Sequence, residues 1–286
     1  MKKLRKGLAV LLAVMMPLSM LACAKGNSPE ELIEKAMLAN EKLENCHADM
    51  DIVMDMTVEG QKQATKMTAS MDMFSNPMKS KMSMSAEGQN IEMYMDSSYV
   101  YMGMMGQWIK SPIQTAQMQQ MDVKASMDLY LKNMDNFKLE EEEQVSGLDT
   151  YKISGVITGD SLEEVIESSG MMSELEQQLG YNADMAAMID KMVENIGDIL
   201  VTIWIEKNDF TVIQYDVDMT NAMSIMMKSM EDALKDEIEE GKTIEDYVKV
   251  DQYTMRITMS QINAIEDFEI PAEALAGMEA NANALQ

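Results

Sequence analysis

The chain has 286 residues, 47% hydrophobic and 25% charged, the make-up of a folded globular protein rather than a disordered one. Asp and Glu outnumber Lys and Arg by 49 to 23, and arginine stands only at Arg5 and Arg256, which argues against nucleic acid as a partner and against charge-driven docking on anionic lipid. One histidine, His47, and two cysteines, Cys23 and Cys46, argue against a disulfide framework, a histidine-built zinc site or a Ser-His-Asp triad, whereas methionine, at 36 residues, is in marked excess.

Residues 1–22 read as an export signal. Lys2, Lys3, Arg5 and Lys6 form a charged start, and Leu8 to Leu21 form an apolar core too short and wrongly flanked for a membrane span. The signal ends in Met20-Leu21-Ala22-Cys23, which resembles the lipobox of bacterial lipoproteins, whose cysteine becomes the lipidated first residue of the mature protein. Ala22 and Cys23 match well; Met20 stands where leucine is usual and Leu21 where a small residue is commoner. Cys23 is therefore the expected lipidation site, since several acyl chains hold a protein on a membrane durably where one does not. Cleavage removes four positive charges and takes the net charge from −26 to −30. Residues 23–28 form a short lipidated tether.

Ser28-Pro29-Glu30-Glu31 is a capping box with proline at the first helical position, and predicts a helix to about Asn45 with Leu32, Ala36, Ala39 and Leu43 on one face. Cys46 reads as a small buried hydrophobe at the helix–strand junction. From His47 to about Trp108 the chain alternates strictly. Met50, Ile52, Met54, Met56 and Val58 occupy every second position, as do Met67, Ala69, Met71 and Met73, then Met82, Met84 and Ala86, then Ile91, Met93 and Met95. Period two over four segments is the pattern of strands with one dry and one wet face. The turns at Glu59-Gly60, Ser75-Asn76-Pro77, Glu87-Gly88 and Asp96-Ser97-Ser98 are short enough to make an antiparallel meander. His47 falls on the polar side as a surface residue, and a further strand or hairpin carries Tyr99, Tyr101, Met102 and Trp108.

Residues 113–136 turn helical, with Met127, Tyr130, Leu131 and Met134 on one face. The acidic run Glu140 to Glu143 reads as solvated strand or loop and leads into a hairpin turning at Ser146-Gly147. Residues 161–196 form a long helical region interrupted at Gly170 and Gly180. Two strands follow; Ile199, Val201, Ile203 and Ile205 make the apolar face of the first, and Ile213, Tyr215, Val217 and Met219 that of the second. An amphipathic helix from Met223 to Ile238 closes at Gly241, and a last strand holds Tyr253, Met255, Ile257 and Met259. Residues 276–286 are expected to be a disordered tail, leaving 29–275 as a single domain.

This order resembles the LolA/LppX-like lipoproteins, in particular Met-rich Gram-positive members. The segments MDIVMDMTVEG, PMKSKMSMSAEGQNIEMYMD, SSYVYMGMMGQWIK, SGLDTYKISG and FEIPAEA carry the likeness, which covers most of residues 29–275. The resemblance implies an α+β fold: a strongly curved antiparallel sheet, an unclosed half-barrel, with helices packed on its concave face. It also implies a cavity in which relatives carry acyl chains of lipids or lipoproteins. It transfers no binding residue, because no short ligand motif is present to match.

The methionines admit three readings. They fill the irregular space between sheet and helices, because a flexible thioether adapts to gaps. Alternatively they line a cavity for an apolar ligand, with Met50, Met54, Met56, Met67, Met71, Met73, Met82, Met84, Met93 and Met95 as its wall. Third, they bind a soft metal, Cu(I) above all. In Met54-x-Met56 or Met93-x-Met95, however, residues i and i+2 lie about 7 Å apart on one strand face, a hydrophobic alternation before it is a chelate. Nothing marks an enzyme: Asp49, Asp51, Asp55, Asp216 and Asp218 sit on polar strand faces, no phosphate loop or G-x-S-x-G elbow is present, and Arg256 reads as half of a surface ion pair.

The sequence thus predicts a non-catalytic lipoprotein at the extracytoplasmic face of the cell membrane, without cofactor or metal. It would hold a lipid, acyl chain or lipopeptide in the sheet–helix cleft, with the helices around Gly170, Gly180 and Met223–Ile238 as lids. The alternative is a structural lipoprotein with a solid Met-rich core that presents its acidic face to an envelope protein partner; Cu(I) binding is the lesser alternative.

Overall fold

β1 (Asn45–Val58) is the axis of the fold, because it pairs with strands from both ends of the chain. The computed structural model describes residues 27–279 apart from 87–88, 105, 114–132, 169–190, 192, 230, 232–237 and 239–240. Outside these residues lie the export signal, Cys23, most of the helix expected at 113–136, the stretch around Gly170 and Gly180, most of the helix beyond Ser229, and residues 280–286.

On one side of β1 the meander runs as expected: β2 (Gln61–Ser75), β3 (Met78–Ala86), β4 (Gln89–Met95), β5 (Tyr99–Met104) and β6 (Gln107–Pro112), each antiparallel to its predecessor. The β1–β2 turn has positive φ at both Glu59 and Gly60, a two-residue turn whose twist suits antiparallel strands and which glycine enters without strain. On the other side lie β12 (Val248–Ser260), β11 (Val212–Asp218), β10 (Ile199–Glu206) and β9 (Leu148–Ile157). β7 (Lys138–Leu139) and β8 (Glu143–Val145) pair with β9, and β13 (Met278–Glu279) lies parallel to β6. Among the described residues the result is a curved, unclosed, mostly antiparallel sheet of 13 strands. Two-residue strands on both outer positions blunt its edges.

Helices are few. α1 (Pro29–Asn40) opens on the predicted capping box, with the Ser28 hydroxyl accepting from the Glu31 amide and the Glu31 carboxylate accepting from the Ser28 amide. It stops at Asn40 rather than Asn45: Lys42 and Leu43 donate to Ala39 and Asn40, tightening the last turn as the chain leaves for β1. α2 (Gly159–Ser168), α3 (Thr220–Ser229), α4 (Ile244–Tyr247) and α5 (Ala272–Leu275) complete the described helices. α1 buries Leu32, Ile33 and Ala36 against Ile153, Ile157, Val201, Ile203 and Ile205 on β9 and β10, and Phe137 joins them. The Phe137 ring lies over Gly155, where any Cβ would meet it at 2.3 Å.

Two strand assignments shift. The last long strand begins at Val248, not Tyr253. Past a register slip between Trp204 and Ile205, Ile205 faces Val212, so Val212 and not Ile213 joins the core under α1. At the C-terminus, Met278 and Glu279, within the stretch expected to be a tail, pair with Ile109 and Lys110.

Candidate ligand-binding face

The alternation in β1 to β4 places all ten candidate methionines on one sheet face. The register shows how they meet: Met71, Met82, Met93 and Met102 stand directly opposite one another across β2 to β5, Met50 faces Ala69, and Met67 faces Ile52. The same face continues beyond β1, where Met50 faces Ile257, Ile257 faces Tyr215 and Tyr215 faces Ile203. One apolar surface therefore spans the sheet and differs at its two ends. Under α1 it is closed, with Ile203 1% and Ile153 0% exposed. On β1 to β4 every one of the ten methionines is half-buried. No methionine whose side chain is described is buried anywhere; the buried core is aliphatic with a few aromatics and Cys46.

A cleft of about 410 Å³ opens where the end of α1, the β10–β11 turn and residues 259–263 meet. Leu43, Phe210, Val212, Met259 and Ile262 give it apolar walls, and Met259 faces Ala48 on the methionine side of the sheet. None of the ten candidate methionines lines it.

The opposite face is polar and bound down. A cleft of about 590 Å³ there contains Arg256, Asp216, Asp51 and Lys66. Arg256 grips Asp216 through two parallel hydrogen bonds, one of 2.7 Å from Nε, and Lys66 lies 3.1 Å from Asp51, so Arg256 is the ion-pair half that the sequence suggests. The acidic run is more than solvated chain. Glu143 accepts from Lys152 at 2.8 Å and from the Trp204 indole at 3.1 Å, Glu142 pairs with Lys207, and Glu140 accepts from Ser154 and Lys138. Those donors, Lys152 foremost for Glu143 and Ser154 for Glu140, hold both carboxyls below the usual range.

His47 is likewise not a free surface residue. Its Nδ1 is 2.6 Å from Asp72 and its Nε2 3.3 Å from Asp49, and the Asp72 hydrogen bond raises its pKa above the ordinary value. Beside it Cys46 is fully buried, and burial pushes its thiol up to about 11, with the Asp72 charge adding to the shift. A thiol so held is inert. Among the described residues, no group of three or more His, Cys, Asp or Glu could hold a metal ion.

The C-terminal segment crosses this polar face as a strap. Asn263 accepts from the Glu44 amide, and Ile265 donates to the Asn45 side chain. Phe268 then sits among Phe74 at 5.7 Å and Tyr94 at 6.1 Å, beneath the Lys79 ammonium, which also donates to Asp267 and to the Phe268 carbonyl at 2.8 Å. Ala274 is fully buried, Gly277 abuts the Trp108 backbone, and β13 ends the strap on the edge of β6. A lone period-two alternation gives no signal for such a strap; Phe74 and Tyr94 on the wet side of their strands, and the FEIPAEA segment itself, are its traces in the sequence.

The fold is LppX-like. The solved structure of lipoprotein LppX of Mycobacterium tuberculosis aligns with 84% of this chain and 97% of its own, with a TM-score of 0.50 and 13% identity, a likeness of fold alone. LprF from Mycobacterium bovis aligns with 87% of this chain and 100% of its own at 12% identity and a TM-score of 0.45. A LolA superfamily protein from Nitrosomonas europaea aligns with 85% and 96% at 9% identity and a TM-score of 0.23. Residues 28–279 match the family described as "Family of unknown function (DUF6612)", and the chain belongs to that family. No curated protein matches the sequence.

Proposed function

We propose that this protein is an exported, lipid-anchored, non-catalytic lipoprotein that binds or carries an apolar ligand, a lipid, acyl chain or lipopeptide, against its methionine face. One observation carries the reading: the methionines stand half-buried on the same face whose other end is closed by α1, and among the described residues that apolar surface is not sealed into the core. A thioether-lined surface adapts to a mobile chain, and each methylene it removes from water contributes about 0.8 kcal/mol. The fold shared with a protein named as a lipoprotein supports the reading. Cys23 is the proposed anchor, and the tether from Ala24 to Ser28 spans at most about 17 Å, which keeps the domain beside the membrane.

Native mass spectrometry of the mature chain carrying Cys23→Ser, purified without detergent and then solvent-extracted, tests the proposal. An acyl-chain species near one per protein supports it and names the ligand class. A clean apo mass, with no binding of an added long-chain fluorescent fatty acid, refutes it in favour of an interaction lipoprotein; a copper adduct refutes it in favour of the thioether metal site.

A further inference from the structure

No methionine whose side chain is described is itself buried: every such thioether is half-buried or exposed, Met37 and Met134 meet the core only as half-buried neighbours, and the closed core is leucine, isoleucine, valine, alanine and aromatic with Cys46. From this segregation we propose that the methionine face is a reversible oxidation site, turned from apolar to polar by hydrogen peroxide while the core keeps the fold. Its consequence, release of the ligand, rests on the apolar-ligand reading above.

Met71, Met82, Met93 and Met102 are successive cross-strand partners on β2 to β5. Opposed side chains on antiparallel strands have Cβ atoms about 4.5–5.5 Å apart, so the four thioethers form one file across the sheet. The inner end abuts Ala48, 2% exposed; at the outer end Met102 is 38% exposed and its β6 partner Ile109 is 42% exposed. A small oxidant reaches the file from that open end. The free thiol among the described residues, Cys46, is fully buried and does not compete.

In the step itself a sulfur lone pair attacks one peroxide oxygen, the O–O bond breaks and an S–O bond forms. Sulfur is oxidised by two electrons, and the displaced oxygen leaves as water with both protons. The sulfoxide is polar and is reversible by methionine sulfoxide reductases. An acyl chain laid on it would strip water from the S–O dipole and return no hydrogen bond.

The mature chain carrying Cys23→Ser is treated with hydrogen peroxide, mapped by peptide mass spectrometry, melted, and titrated with a long-chain fluorescent fatty acid. Sulfoxides are expected at Met71, Met82, Met93 and Met102, with a thermal midpoint within a few degrees of the untreated protein. Probe affinity falls about tenfold or more and recovers after methionine sulfoxide reductase with dithiothreitol; in the variant with all four residues changed to Leu, peroxide lowers the affinity by a smaller factor relative to that variant's own untreated value. Three results would overturn the proposal: methionines that resist peroxide until the chain unfolds, a fold lost together with their oxidation, or a Leu variant as peroxide-sensitive as the parent. If the untreated protein does not bind the probe, the apolar-ligand reading fails, and the map and the melt alone decide the oxidation site.

Discussion

Ile203→Ala and Met82→Ala should have very different effects on stability, although both residues are apolar and sit on the same face of the sheet. Ile203 is 1% exposed and packs with Leu32, Ile33, Ile153 and Ile205 beneath α1. Truncating it leaves a closed cavity as well as losing transfer free energy, which together cost about 2–5 kcal/mol. At about 2–4 °C per kcal/mol for a domain of this size, the thermal midpoint falls by roughly 10 °C. Met82 is half-buried, so part of its surface is already wet and its removal encloses no void. Roughly half the transfer value of a buried side chain gives about 1 kcal/mol, a shift of about 3 °C. Thermal and urea melts of the two variants, followed by circular dichroism in the absence of lipid, read the difference directly. Equal losses would mean that the methionine face is closed core, and the reasoning from segregation would collapse.

The His47–Asp72 pair makes stability depend on pH near neutrality. Because the folded state raises the His47 pKa, its contribution is fully present below the ordinary value of 6.5 and is lost as pH rises through the elevated one; His47→Gln should therefore melt with a flatter profile across that window, and an unchanged slope would count against the pair. Phe268→Ala removes the ring held by Phe74, Tyr94 and Lys79, so amide exchange at residues 264–279 should accelerate while β1 and β2 stay protected. Uniform acceleration would show that the strap is not a separable unit. Gly155→Ala drives a Cβ into the buried Phe137 ring and should cost about 1–3 kcal/mol, with part of that recovered in the double variant with Phe137→Ala, as contacting residues require.

Much of the sheet is legible in the chain because its signals are local. Strict alternation and short turns specify β1 to β4 and their order, and Ser28-Pro29-Glu30-Glu31 specifies where α1 starts. What is not legible depends on distant partners. Nothing in MDIVMDMTVEG says that Met50 will face Ile257 across more than two hundred residues, yet that pairing makes the first strand the centre of the sheet. Nor does local pattern reveal that Glu142 will meet Lys207, or that Trp204 will donate to Glu143; as sequence, the acidic run looks like any solvated segment.

The methionine face shows the same limit at the site. Period two states which side of a strand is apolar, but it is silent on whether that side ends up closed. Val201, Ile203 and Ile205 alternate as Met71, Met73 and Met82, Met84 do, yet α1 covers the first group and leaves the second half-buried. Composition carries the missing information. Where the face is sealed, the chain uses stiff, branched residues with few rotamers, which pack to fixed shapes; where it is open, it uses unbranched thioethers that re-form around whatever arrives. Branched aliphatics at the closed end and methionine at the open end are what separate physical demands on one continuous surface would select, a fixed fold in one place and an adaptable contact in the other.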